Sequence, residues 1–271
     1  MSYSILVIGC DKNLKLLDCF FKYFKRYYDL NGVSVYLSLE KKSYTYDSLD
    51  ITVFNDCDGS PWSKRVKEAL KKIDTKAVLV LLADFIIESK VDTEEIEKLS
   101  KLIENDDSIA HFALTTVPMK NDSDEIYYDR YYKRYKFGRY KTTLQAGIWN
   151  REELISVLSD KDNAWQTEVY ANIRSYLSDR NYYAISDKKL KPIDYNDGLF
   201  CVGGKQNEPE VKRLGEKLGE DLHIEGIESN NGIVIRDVRN LRQRIIERIC
   251  ITVYQTIYFL RYWGKKVGKK N

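Results

Sequence analysis

The alternation of short apolar strands with amphipathic helices predicts an α/β fold: a mostly parallel central sheet, helices on both faces, and a C-terminal amphipathic helix. Three observations carry the core of this expectation. Residues 77–82 read Ala-Val-Leu-Val-Leu-Leu, the pattern of a strand buried on both faces. Further apolar runs at 5–8, 33–39, 51–54 and 109–114 are separated by segments of helical period. The chain has 271 residues, 43% of them hydrophobic, enough for a sizeable core and unlike a disordered chain.

The elements follow in order. The run at 5–8 ends in Gly9, and Leu14, Leu17, Phe20, Phe21, Phe24 and Tyr28 then recur at helical spacing. After the strands at 33–39 and 51–54, Ser60-Pro61-Trp62 predicts a helix start, with Ser60 as N-cap and Pro61 at the first helical position. Trp62, Val66, Ala69, Leu70 and Ile73 form its apolar stripe. The buried strand at 77–82 leads to a helix at 93–104 and a strand at 109–114. Residues 127–140, Tyr-Tyr-Asp-Arg-Tyr-Tyr-Lys-Arg-Tyr-Lys-Phe-Gly-Arg-Tyr, keep neither period and predict a long loop or irregular hairpin. A strand at 144–149, helices at 151–158 and 166–177, and a turn at Val202-Gly203-Gly204-Lys205 precede a helix at 208–218. The last long helix is expected at 238–263. No internal repeat is present. The division this implies is a domain over 1–232 followed by a basic helix within 233–271.

Composition narrows the function classes. Five scattered cysteines (Cys10, Cys19, Cys57, Cys201, Cys250) and two histidines (His111, His223) offer no zinc-ligand spacing, and read as small buried side chains in a reducing compartment. The start, Met1-Ser2-Tyr3-Ser4-Ile5-Leu6-Val7-Ile8-Gly9, lacks a basic n-region and reads as a first strand, not a signal peptide. No uncharged apolar run is long enough to cross a bilayer. These features predict a cytoplasmic protein. Tyrosine, at 21 residues, suits wet sugar-like surfaces and half-buried positions alike. The net charge is +3, yet residues 233–271 hold ten Lys/Arg and two acids, so the tail carries +8 and the remainder −5.

In open α/β sheets ligands bind beyond the carboxyl ends of the strands. Asp11 falls there, either as a cap for the next helix or as a nucleotide contact. Asp84, in Leu81-Leu82-Ala83-Asp84-Phe85, follows the most buried strand, where a carboxylate caps a turn or holds a divalent cation and diphosphate. Glu168, in Ala164-Trp165-Gln166-Thr167-Glu168, is either a first-turn helix acid or a general base beside an aromatic sugar platform.

Their order resembles a family. Trp62-Ser63-Lys64-Arg65, then Val78-Leu79-Val80-Leu81-Leu82-Ala83-Asp84-Phe85, then Leu144-Gln145-Ala146-Gly147-Ile148-Trp149-Asn150, then Trp165-Gln166-Thr167-Glu168 is similar to a family of bacterial polysaccharide glycosyltransferases with a GT-A-like fold. Cys201-Val202-Gly203-Gly204-Lys205-Gln206 is similar to that family's Gly-Gly-Lys turn, and the resemblance covers about residues 4–219. It implies transfer of a sugar from a nucleotide-sugar donor to a glycan acceptor, lipid-linked, in surface polysaccharide or capsule synthesis, with inversion. Asp11, Trp62, Arg65 and Asp84 would serve the donor, Gln145 and Trp165 the acceptor, and Glu168 would be the base. Asp84 would also hold a divalent cation, Mn or Mg. The chain departs from the family at Ala83, where the first of two acids is usual. That departure feeds the alternative of a non-catalytic nucleotide-sugar-binding or scaffolding subunit. A literal Asp56-Cys57-Asp58 reads as a turn before a metal site. Gly9-Cys10-Asp11-Lys12 is no phosphate-binding Gly-rich loop, which tells against another nucleotide enzyme class.

The tail run Ile249-Cys250-Ile251-Thr252-Val253-Tyr254-Gln255-Thr256-Ile257-Tyr258-Phe259-Leu260, followed by Arg261, Tyr262, Trp263 and lysines, has the composition of an interfacial helix. It predicts peripheral contact at the inner face of the membrane, or else a helix packed on the domain with a solvated basic end. Nucleic acid is not an expected partner, since the charge trails an apolar segment without forming a groove-filling surface.

Overall fold

The computed structural model describes residues 2–116, 125–128, 130–138, 140–194, 200–202, 204–231 and 241–268. Strand β1 (Tyr3–Ile8) leads through a 3-10 turn into helix α1 (Leu14–Tyr27). Strands β2 (Val35–Ser38) and β3 (Ile51–Phe54) precede α2 (Trp62–Lys71), β4 (Ala77–Leu82), α3 (Thr93–Asn105) and β5 (Ile109–Ala113). A hairpin of β6 (Glu125–Tyr128) and β7 (Tyr131–Lys133) comes before β8 (Gly147–Asn150), α4 (Arg151–Val157), α5 (Ala164–Arg174) and β9 (Asn181–Ile185). The short strands β10 (Cys201–Val202) and β11 (Lys205–Asn207), helix α6 (Glu208–Leu218), β12 (Ser229–Asn230) and the long helix α7 (Leu241–Gly268) complete the described chain.

The main sheet runs β3-β2-β1-β4-β8-β5-β9-β7-β6. Strands β3, β2, β1 and β4 are parallel; β8 is inserted antiparallel between β4 and β5, and the β6–β7 hairpin closes the far edge. The expected α/β fold with helices on both faces is thus the observed one, in a mixed sheet. Period-two alternation sorts the core. Ile5, Val7, Leu79 and Leu81 face one side, with Leu17, Phe20, Phe21 and Phe24 of α1 and Ile96, Leu99 and Ile103 of α3. Leu6, Ile8, Val78 and Val80 face the other, with Val66, Ala69 and Leu70 of α2, Leu154 and Val157 of α4 and Ala171 of α5.

Several boundaries differ from the sequence reading. Helix α2 begins one residue later than predicted, with Pro61 at the cap and Ser60 outside it. The strand expected at 144–149 starts three residues later and ends one later, Gly147–Asn150, where the Asn150 side chain accepts from Glu153 N–H and caps α4. Strand β9 went unrecognised: Asn181-Tyr-Tyr-Ala-Ile is short and its Tyr182 and Tyr183 are both buried, so neither face looks polar. Of the two readings of residues 127–140, a long loop or an irregular hairpin, the second holds in part: they contain part of an edge hairpin with a register shift between Ile126 and Tyr128. For the last helix, residues 238–240 lie outside the described residues, as do the 232/233 boundary and Gly203 of the Gly-Gly-Lys turn. Gly204 in that turn has φ +80°, the left-handed conformation that favours glycine.

Candidate functional site

The parallel strands end in register: Ile8 of β1 stands beside Ser38 of β2 and Leu82 of β4. The ladder runs one step further, with Gly9 N–H donating to Ser38 O and Ala83 N–H donating to Ile8 O. Asp84 is the next residue. Ala83 is buried in the core below α1, whereas Asp84 keeps partial access to solvent. Ala83 therefore faces inward, and the carboxylate at the edge is Asp84.

Helix α5 brings Glu168 to the same place. Asn163 caps it in a reciprocal box with Gln166, which fixes where the first turn starts. The loop before it is tied to α2, as Ser63 N–H and Oγ–H both donate to Asp162 O, at 3.1 and 2.8 Å. The start of α5 is thereby pinned to the start of α2, beyond the carboxyl end of β3. Burial raises the Glu168 carboxyl above the ordinary glutamate range. Asp84 is pushed up to about 6 by burial and by the nearby Glu168 carboxylate. No cation among the described residues helps to hold either carboxylate in its charged form.

The remaining expected residues line this edge. Asp11 caps no helix. Its carboxylate accepts from the backbone N–H groups of Glu40, Lys41 and Lys42, each at 3.0 Å, and so staples the loop after β1 to the loop after β2. Partial burial opposes its charge, but these bonds hold it below the usual aspartate range. Trp62 is half-buried on the α2 side of the core. Arg65 is buried and engaged from below: its guanidinium donates to Ser38 O, Ser38 Oγ and Gly9 O at 2.7, 3.0 and 3.1 Å, with Glu40 at 3.4 Å. It ties the ends of β1 and β2 together as a support of the edge. Gln145 sits opposite, its Oε1 accepting from Thr115 Oγ–H at 2.9 Å, which leaves the amide NH2 as its remaining donor. Trp165, 68% exposed, is an open aromatic surface one turn before Glu168 on α5.

One further residue at the site reads in the sequence only as a small buried side chain and as part of the Gly-Gly-Lys turn. Cys201, at the start of β10, lies close enough to Asp84 and Cys10 that burial, with these neighbours, pushes its thiol up to about 11. It is a packed thiol, not a nucleophile. Its value lies in showing that the β10–β11 hairpin covers the Asp84 end of the edge.

A divalent ion suits this edge in one form only. Among the described residues no three His, Cys, Asp or Glu side chains gather as a metal centre. Mg and related ions need no such cage when a diphosphate supplies oxygens and one or two carboxylates complete the shell. Asp84, partly buried and without a compensating cation, provides such a carboxylate. Asp56 and Asp58, by contrast, are each paired with a lysine, Lys72 and Lys41.

No protein-family model matches the chain. No curated protein matches it either. Solved structures of similar fold include S. aureus TarS 1–349 in complex with UDP-GlcNAc, at 14% identity over 69% of this chain and 59% of that one, TM-score 0.46. Mannosyltransferase PcManGT from Pyrobaculum calidifontis in complex with GDP-Man and Mn2+ is similar at 13% identity over 68% of this chain and 54% of that one, TM-score 0.46. A197 from STIV is similar at 11% identity over 71% and 84%, TM-score 0.36. The chain thus spans less than two thirds of the length of the TarS and PcManGT chains, and at these identities the likeness is one of fold alone.

Proposed function

We propose that this chain is a glycosyltransferase that moves a sugar from a nucleotide-sugar donor to a hydroxyl of a glycan acceptor. The observation that carries this reading is the meeting of Asp84 and Glu168. Two carboxylates from separate elements share one partly buried edge with no cation among the described residues to neutralise them, an arrangement that costs stability and so points to function. Asp11, Trp62 and Asp84 form the donor side, with Arg65 supporting it. Gln145, Trp165 and Glu168 form the acceptor side.

Glu168 takes the proton of the acceptor hydroxyl. The acceptor oxygen forms its bond to the anomeric carbon as the bond from that carbon to the diphosphate oxygen breaks, and the electron pair leaves with the diphosphate. A base on the acceptor side favours direct displacement, hence inversion. The raised Glu168 carboxyl suits the task, because a stronger base near neutral pH transfers a proton more readily. A divalent ion held by Asp84 would neutralise the diphosphate leaving group. Trp165 offers its face to a sugar ring, and Gln145 offers its amide NH2 to a hydroxyl. The acceptor fits a lipid-linked glycan of a surface polysaccharide, made by an enzyme working at the inner face of the membrane.

Thermal denaturation across a panel of nucleotides and nucleotide sugars, with Mg, Mn or chelator, tests the reading. A donor present at a hundred times its dissociation constant adds about 2.7 kcal/mol. If no nucleotide sugar stabilises the protein with or without metal, the proposal fails. Stabilisation without turnover would assign the edge to a binding subunit.

A further inference from the structure

Helix α7 has two unlike faces. One rests on the body of the protein: Tyr254 packs on Tyr170 at 5.1 Å between ring centroids, and Phe259 and Tyr262 pack on Phe137 at 5.1 and 5.3 Å. The Lys136 ammonium lies over the Tyr262 ring at 4.4 Å. The other face carries Ile249, Val253, Ile257, Leu260, Trp263 and Val267, between 41% and 63% exposed. Steps of three and four residues keep these six on one stripe about 27 Å long. Between Arg248 and Gly268 the helix has no acid, while Arg248, Arg261, Lys265 and Lys266 are all exposed. Asp179 is shared by Lys136, Lys265 and Lys266 at 3.8, 3.7 and 3.7 Å, so positive charge remains in excess beside Trp263 and Val267.

We propose that this stripe is the surface by which the protein lies on an anionic lipid bilayer, with α7 in the plane of the headgroups. No helix of the described residues is long and apolar enough to cross a membrane, which leaves the interfacial position for an apolar face of this kind. Charge decides between lipid and a second copy of α7. Two such helices paired along this stripe, between Arg248 and Gly268, set only cations against one another, whereas anionic headgroups answer every one. The arrangement has a consequence for the site. Tyr170, on which Tyr254 rests, is two residues from Glu168 on α5, so the acceptor wall is fastened to the lipid-bound helix. A lipid-linked acceptor would meet Glu168 at headgroup height; this consequence rests on the glycosyltransferase reading, but the docking does not.

Flotation of the full chain with vesicles tests the docking. Equimolar phosphatidylcholine and phosphatidylglycerol should carry the protein up the gradient at low salt, and phosphatidylcholine alone should carry far less. Leu260→Asp combined with Trp263→Asp, both on the exposed stripe, should weaken flotation by about a hundredfold or more. Arg261→Gln should weaken it about fivefold, the effect of one surface charge. Donor-induced thermal stabilisation, measured on the same proteins, should be unchanged, which separates failure here from failure of the proposed chemistry. Absence of flotation with the mixed vesicles would overturn the proposal. So would a dimer that the double variant dissolves, which would give the stripe to a second copy. A large fall in melting temperature in the double variant would give it to the core.

Discussion

Asp84 and Glu88 leave β4 four residues apart, in one loop, and meet opposite fates. Glu88 is 6% exposed, and two cations close on it: Arg213 Nη2 and Lys217 Nζ of α6, both at 2.6 Å. Asp84 is partly buried beside another acid, with no such partner. Glu88 fastens α6 to the sheet and belongs to the architecture. Asp84 is held in a state that the fold alone does not favour. Within a single loop, neutralisation marks the structural acid; the acid without it, Asp84, is the one proposed above to meet a ligand.

The largest expected effect lies with the partner of Asp84. Glu168→Gln should lower the transfer rate at least about a hundredfold while donor stabilisation persists, because the amide keeps the shape but cannot accept a proton. In the wild type, kcat/KM should rise with pH through an apparent pKa above the ordinary glutamate value of 4.5, since burial raises this carboxyl. A rate within a few-fold of wild type, or an acid limb that survives in the variant, would take the base role away from Glu168.

Stability sharpens the comparison with a difference of sign. Glu88→Ala should destabilise the protein by about 1–3 kcal/mol, moderated because Arg213 and Lys217, at 46% and 40% exposure, regain water. Asp84→Asn should stabilise it at pH 7 by about 1–2 kcal/mol. The folded carboxyl holds its proton up to about pH 6, against an ordinary value of 3.8. Its contribution is therefore fully present below about pH 4 and lost as pH rises through 6, so the gain from Asn should shrink on acidification. Chemical denaturation at pH 5 and pH 7.5 measures both variants. If they destabilise alike at pH 7.5, the two acids are both architectural. The same substitution at Asp84 should abolish metal-assisted donor binding.

The smallest stability effect is expected at Trp165. Trp165→Ala should move folding stability by no more than about 0.5 kcal/mol, because the side chain is 68% exposed. It should raise the acceptor KM and leave the donor dissociation constant alone. An unchanged KM for both substrates would remove the aromatic platform from the site.

Much of the layout was legible from local pattern. The apolar run at 77–82, the helical stripe of α1 and the residues after each strand placed Asp11 and Asp84 at the carboxyl edge, because strand ends and side-chain periods are written in nearest neighbours. The short motifs likewise pointed to Gln145, Trp165 and Glu168. What residues did on arrival was decided by partners far along the chain. Arg65 is expected from sequence to serve the donor, but Ser38, Gly9 and Glu40 take up its hydrogen-bond donors. Asp11 reads as a helix cap, but three amides thirty residues on claim its carboxylate. The antiparallel insertion of β8, which carries Gln145 to the edge beside β4, leaves no local trace, because strand order is set by which faces can be buried together. Glu88 and Asp84 look alike on the page of letters. Only the approach of α6 to one and of α5 to the other sets two cations against the first and a second carboxylate against the other, and the free energy of a buried charge depends on what the tertiary structure sets against it.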